Sequence, residues 1–196
     1  MLRPMTRETL SSDLTGKLLI AMPGMGDPRF EKSVVLLCAH SPEGTMGLIV
    51  NKPVPEVGFA DLLRQLKVPG ADTAQDGIRV HFGGPVEHGR GFVLHTADYR
   101  ANASTLRVPG GFGMTATLDV LEHIAAGTGP SRAFLALGYS GWGPGQLEEE
   151  ILRNGWLTAD ADPDLVFAAD NGGKWGQALK SLGIDALTLS AEAGRA

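Results

Sequence analysis

The sequence predicts a single domain of mixed α and β structure, in which short apolar strands paired as hairpins alternate with amphipathic helices. Three observations lead there. A chain of 196 residues that is 43% apolar can bury most of the surface of its unfolded form around one core. Short apolar runs bounded by turn formers recur along it, which is a strand signature. Between them, apolar residues at helical spacing mark amphipathic helices, and neither repeats nor a linker-like stretch divides the chain.

Taken in order, residues 1–13 read as a flexible start, and Lys17 to Ala21 (KLLIA) and Ser33 to His40 (SVVLLCAH) as strands joined by an ordered loop, MPGMGDPRF. Ser41-Pro42-Glu43-Gly44 turns the chain into TMGLIVN, so residues 33–51 form a hairpin at the sheet centre. Both of its arms are apolar on both faces, which demands cover on both sides. Phe59, Leu62, Leu63 and Leu66 fall on one face of a helix that Pro69-Gly70 ends, with Asp61, Arg64 and Lys67 outward. After a polar loop from Gly70 to Gly77, residues 78–85 and 90–95 read as a second hairpin turning at Val86 to Gly89. A short strand near Thr105 to Val108 precedes GGFG at 110–113, expected to be a mobile loop. Thr115 or Thr117 caps a helix whose apolar side is Leu118, Leu121, Ile124 and Ala125 and whose stop is Gly127. Ala133 to Tyr139 is a strand. Pro144 then fits a first helical turn, Leu147 and Ile151 face inward, Glu149 is placed to pair with Arg153, and Asn154-Gly155 stops the helix. A last helix, Gly173 to Leu182, carries Trp175 and Leu179 on one side, and residues 191–196 form a tail.

Composition narrows function by exclusion. The single cysteine, Cys38, lies in VVLLCA and reads as a small buried hydrophobe; it cannot form an internal disulfide, so a reducing compartment is expected. The start, MLRPMTRETLSSD, lacks the continuous apolar stretch of an export signal, and no run approaches a membrane span, so a soluble cytoplasmic protein is expected. Net charge is −5, and its distribution is uneven: residues 1–110 carry +1 and residues 111–196 carry −6. The acidic half, with Glu148, Glu149 and Glu150 in a row, repels a phosphate backbone, leaving Arg79, Arg90, Arg100 and Arg107 as the candidate phosphate contacts. No helix clusters the arginine, lysine and asparagine side chains that read a major groove, so sequence-specific nucleic-acid binding is not expected.

GYSGWGPGQLEEE, Gly138 to Glu150, is the densest motif. Its four glycines read as a compact elbow between strand and helix, with Tyr139 and Trp142 packed on it. Gly138-Tyr139-Ser140-Gly141-Trp142 approaches the nucleophile elbow G-x-S-x-G, in which a strained turn presents serine to an acyl group, but Trp142 is too large for the fifth position. The histidines at 40, 81, 88, 95 and 123 include no pair at the spacing of a helix-borne zinc site, and no metal is expected. His40 and His95 each end an apolar strand and could meet at one rim of the sheet. GMGD, GGP and GGFG match neither dinucleotide nor P-loop fingerprints, so no cofactor is expected; an anion site at the helix start near Gly143-Pro144 stays open.

The segments LTGKLLIAMPGMGDPRFEKSVVLLCAHSPEGTMGLIVNKP, FGGPVEHGRGFVLH and LGYSGWGPGQLEEEILRNGWL, in this order, resemble the YqgE/AlgH family over residues 14–190. The resemblance implies an α/β (α+β) fold, a mainly antiparallel curved sheet or flattened barrel flanked by helices. It implies no catalytic residues. The family's name comes from a suggested regulatory role in alginate synthesis, and a transcriptional-regulator label has been attached to it. At the position of Ser140 the family commonly has alanine, which further weakens a nucleophilic serine. Positions matching the family, and hence candidates for a shared binding surface, are His40, Asn51, Gly83, Gly84, His95, Tyr139, Trp142 and Gln146. The expectation is a non-enzymatic cytosolic binding or regulatory protein with a protein or small-molecule partner. The alternative is a small-molecule or nucleotide-binding protein with weak hydrolase activity.

Overall fold

Leu18 and Ile20 point to one side of β1 (Lys17–Ala21), Leu19 and Ala21 to the other, and none of the four has exposed surface. The same holds for β2 (Val34–Ser41), where Val34, Leu36 and Cys38 alternate with Val35 and Leu37. A sheet so built must be covered twice, and the computed structural model, which describes residues 13–24, 26–71, 78–99, 104–185, 187 and 189, shows how.

The other strands are β3 (Gly44–Ile49), β4 (Val80–Phe82), β5 (Val86–Thr96), β6 (Thr105–Val108), β7 (Phe112–Thr115), β8 (Ala133–Trp142) and β9 (Trp156–Asp160). They form one sheet in the order β6-β7-β5-β8-β3-β2-β1-β9, antiparallel throughout, with β4 added beside β8 in parallel. The helices are α1 (Phe59–Gln65), α2 (Leu118–Ala125), α3 (Gln146–Leu152), α4 (Pro163–Val166) and α5 (Lys174–Ser181). Val166 of α4 and Trp175, Ala178 and Leu179 of α5 close one face over Leu18, Leu36, Leu48, Phe92 and Phe134. The opposite face is covered in two patches. Leu147 and Ile151 of α3 seal Leu19, Val35 and Ile49, and Phe59 and Leu63 of α1 with Val120 and Leu121 of α2 seal Val80, Val93 and Leu135. The curved, mainly antiparallel sheet flanked by helices is therefore present, in a single domain.

The hairpin of residues 33–51 forms as read, with an irregularity between Leu37 and Ala39. Cys38 is buried, and burial pushes its thiol up to about 12. The second hairpin does not form. β4 and β5 are not partners, because Leu135 to Leu137 of β8 lie between them, pairing with β4 on one side and β5 on the other. The expected turn at Val86 to Gly89 is strand, the first part of β5. The expected mobile loop GGFG is half turn and half strand: Gly110 and Gly111 take positive φ, and Phe112, 1% exposed, opens β7. The strand β9 and helix α4 escaped the sequence reading.

Helix faces also needed correction. Leu66 and Leu118 are exposed, because α1 ends at Gln65 and α2 turns Val120 inward instead. Thr117 is the N-cap residue of α2, but its hydroxyl bonds the Asp119 side chain and caps no backbone group. No ion pair joins Glu149 to Arg153. α5 matches its expected span, with Trp175 and Leu179 buried. The flexible start (residues 1–12 of it), the tail, Arg100 and most of the Gly70–Gly77 loop lie outside the described residues.

Candidate functional site

The chain between β8 and β9 builds a deep cleft. The strand does not stop at an elbow near Ser140; it runs on to Trp142, and only then does the chain turn. Gly143 to Gln146 is a tight turn closed by the Gln146 N–H on the Gly143 carbonyl at 3.1 Å, with Pro144 second and Gly145, at φ +73°, third. Proline presets the one and glycine alone adopts the other without strain. Pro144 thus belongs to the turn, and α3, a single short helix, begins at Gln146. The Gly143 N–H is already held by Gln146 Oε1 at 3.0 Å. Asn154 at φ +60° and the Gly155 N–H on the Glu150 carbonyl at 2.8 Å end the helix and reverse the chain into Trp156.

This reversal sets Trp142 against Trp156, ring centroids 6.0 Å apart and edge-on. Phe30, from the loop after β1, completes an aromatic cluster at 6.3 Å from Trp142 and 5.7 Å from Trp156. Glu150 fixes it: Oε2 accepts both indole N–H groups, from Trp142 at 2.8 Å and Trp156 at 2.9 Å, while Oε1 accepts from Gln146 Nε2 at 3.3 Å. Above these rings lies a cleft of about 730 Å³, edged by Arg29, Gln146 and Arg153. Arg29 is engaged with Asp27 at 2.7 Å. The Arg153 guanidinium is exposed and has no hydrogen bond or ion pair among the described residues. The arrangement offers an aromatic wall of mutually tilted rings beside an uncommitted cation.

Of the residues singled out from sequence, Trp142 and Gln146 line this cleft. The others do not join them. His40 accepts the Leu14 N–H on Nδ1 at 2.9 Å and donates from Nε2 to Glu148 at 2.7 Å, tying α3 to the segment before β1. Asn51 closes the hairpin mouth, accepting from Val34 N at 2.9 Å and donating to the Lys32 carbonyl at 2.8 Å. Gly83 and Gly84 pass so close to β8 that a Cβ on Gly84 would lie 2.1 Å from the Tyr139 carbonyl carbon. Tyr139 packs edge-on against Phe92 at 5.9 Å. His95 is fully buried, bonded to the Thr96 carbonyl at 2.8 Å and Thr115 Oγ1 at 2.9 Å, and burial lowers its pKa.

His40 and His95 do not meet. His40 pairs with Thr45, which pairs with Trp142 at one end of β8, whereas His95 pairs with Ala133 at the other; the two pairing points are the opposite ends of the strand, about 30 Å of extended chain apart. Ser140 is buried mid-strand and donates to the Gly83 carbonyl at 3.2 Å, with no histidine bonded to it. Arg79, Arg90 and Arg107 are spread over different parts of the surface, lining three different cavities. Sequence reasoning missed Phe30, Arg153 and Trp156 as site residues. The available signal was a short helix bracketed by two tryptophans in a chain with only three.

A curved, antiparallel-dominated sheet with helices on both faces and a cleft at the β8–β9 reversal defines the class. The chain belongs to the AlgH-like family, DUF179, whose pattern matches residues 18–187. It is 62% identical to a UPF0301 protein of Cereibacter sphaeroides and 64% identical to one of Ruegeria pomeroyi, each over 184 residues, covering 94% of this chain and all of the relative. The solution structure of the AlgH protein of Pseudomonas aeruginosa superposes with a TM-score of 0.75 at 37% identity, covering 97% of both chains. A crystal structure of a Corynebacterium diphtheriae protein shares the fold, with a TM-score of 0.71 at 22% identity over 90% of each chain. Among the described residues no helix is long and apolar enough to cross a membrane.

Proposed function

We propose that this protein acts by binding, without turnover, as a cytoplasmic regulatory protein, and that the cleft over Phe30, Trp142 and Trp156 takes a small molecule with a planar apolar body and an acidic group. The observation that carries this reading is the pairing of that aromatic wall, clamped by Glu150, with the unpaired Arg153 at its edge. Its volume of about 730 Å³ lies in the range of small-molecule sites. An enzyme reading would need His40, His95 or a nucleophile converging on the cleft, and the two histidines are engaged elsewhere. The hydrolase alternative is disfavoured by the burial of Ser140. Net charge of −5 and dispersed arginines weigh against direct reading of a DNA sequence, so any regulatory output runs through a protein partner.

Anilinonaphthalene sulfonate, a planar aromatic anion, is a suitable probe. Titration is expected to give saturable fluorescence with energy transfer from tryptophan, weakened by Arg153→Gln and by Phe30→Ala. Binding that neither substitution alters would place the probe elsewhere and defeat the reading.

A further inference from the structure

Lys174 opens α5 and is 1% exposed, yet no carboxylate among the described residues forms an ion pair with it. Its ammonium donates to two backbone carbonyls, Val50 at 2.9 Å and Val166 at 2.7 Å, and sits 5.9 Å from the Phe134 ring centre. The third proton has no partner among the described residues. Asp170, four residues before it, spends its carboxylate on the Gly173 N–H at 3.1 Å. A buried ammonium with no bonded counter-ion is unfavourable; burial lowers the Lys174 pKa most, the charge of a second cation, Arg79, lowers it further, and the nearby Asp170 carboxylate offsets only part of this.

The same spot holds a second unsatisfied group. His81, 2% exposed, stacks on Phe134 at 4.2 Å, and its Nδ1 is buried with no hydrogen-bond partner among the described residues. Lys174, Arg79 and His81 all line one cavity of about 320 Å³, walled by Phe134 and Phe167. Arg79 stands exposed at its edge, using one N–H on the Ala169 carbonyl at 2.8 Å, with no other side-chain partner among the described residues. Two cations and an orphaned ring nitrogen converging on one cavity form an arrangement that a dianion relieves at every point.

We propose that this cavity is a phosphate-monoester site, with Lys174 and Arg79 holding the phosphoryl oxygens and His81, taking up a proton as the dianion enters, donating from Nδ1, while Phe134 and Phe167 flank the organic body. It shares no residue with the cleft beside Trp142. A dianion is favoured over a carboxylate because two cations, neither in an ion pair among the described residues, face the cavity. Binding must also raise the His81 pKa, now held at about 4 by burial and by the Lys174 charge, since a nearby anion stabilises the imidazolium.

The test is titration of the whole protein with phenyl phosphate, inorganic phosphate and benzoate, followed by nitrogen-edited NMR of the histidine side chains. Phenyl phosphate is expected to shift the His81 ring signals saturably and move their titration to higher pH, with inorganic phosphate weaker and benzoate weaker still. Arg79→Gln and Lys174→Met should each weaken binding at least about tenfold, the worth of one charge-assisted hydrogen bond. Arg153→Gln should leave it unchanged. Should Lys174→Met fail to fold, Arg79→Gln at its exposed position still decides. An unmoved His81 signal, full affinity in Arg79→Gln, or benzoate binding as tightly as phenyl phosphate would each overturn the assignment.

Discussion

Replacing Glu150 with glutamine changes one oxygen into an amide and removes a charge from the lining of the cleft. The carboxylate now accepts two indole N–H groups on Oε2 and one amide N–H on Oε1. Glutamine can keep its oxygen toward the indoles, but its NH₂ then faces the NH₂ of Gln146. If Gln146 flips to meet it, Gln146 Oε1 leaves the Gly143 N–H it holds at 3.0 Å. One bond is lost either way. Hydrogen bonds to a charged acceptor are worth about 1.5–3 kcal/mol and neutral ones about 0.5–1.5, so two bonds weakened by about 1–1.5 kcal/mol each and one lost bond sum to about 3.5–6 kcal/mol. Glu150→Ala should cost more, because both indole donors lose their acceptor. Urea denaturation followed by far-ultraviolet circular dichroism measures the difference, with tryptophan emission as a second probe. A Glu150→Gln protein within about 0.5 kcal/mol of wild type, the scale of an ordinary surface change, would refute the view that Glu150 clamps the two rings.

Three further outcomes are expected. Leu147→Ala should lower stability by about 2–5 kcal/mol, since the side chain is fully buried between α3 and the sheet, and an unchanged denaturation midpoint would contradict that packing. Burial, with the Lys174 charge adding, holds folded His81 at about 4 against an ordinary 6.5. The unfolded chain therefore takes up this proton first, and stability should fall as pH drops from 6.5 toward 4, with a slope that His81→Phe flattens; an unaltered slope would show that His81 titrates normally. A fluorophosphonate should leave the protein unlabelled, and stoichiometric labelling lost in Ser140→Ala would restore the hydrolase alternative.

Local order was legible where short-range signals decide the outcome. The hairpin of β2 and β3 is closed by its own turn, and α5 carries its apolar stripe within two turns. The pairing of β4 and β5 was not legible, because the strand that separates them, β8, arrives some fifty residues later and fits between two segments adjacent in sequence. β9 was hidden by the Asn154-Gly155 stop that precedes it. For the site, Trp142 and Gln146 stood inside a recognisable motif, whereas Phe30 joins them from another loop, and nothing local to MPGMGDPRF announces that meeting. Nothing in the sequence marks Lys174, at the start of its helix, as buried; only the packing of Val50 and Val166 around it reveals a buried charge.

Binding of a planar anion in the cleft at the β8–β9 reversal is the central property to measure. Backbone amide NMR during titration with anilinonaphthalene sulfonate locates the probe residue by residue. Saturable shifts at Phe30, Gly141 to Gln146 and Arg153 to Trp156, diminished in Arg153→Gln, are the predicted result. Shifts confined to other parts of the sheet, or the same pattern and affinity in Arg153→Gln, would contradict it.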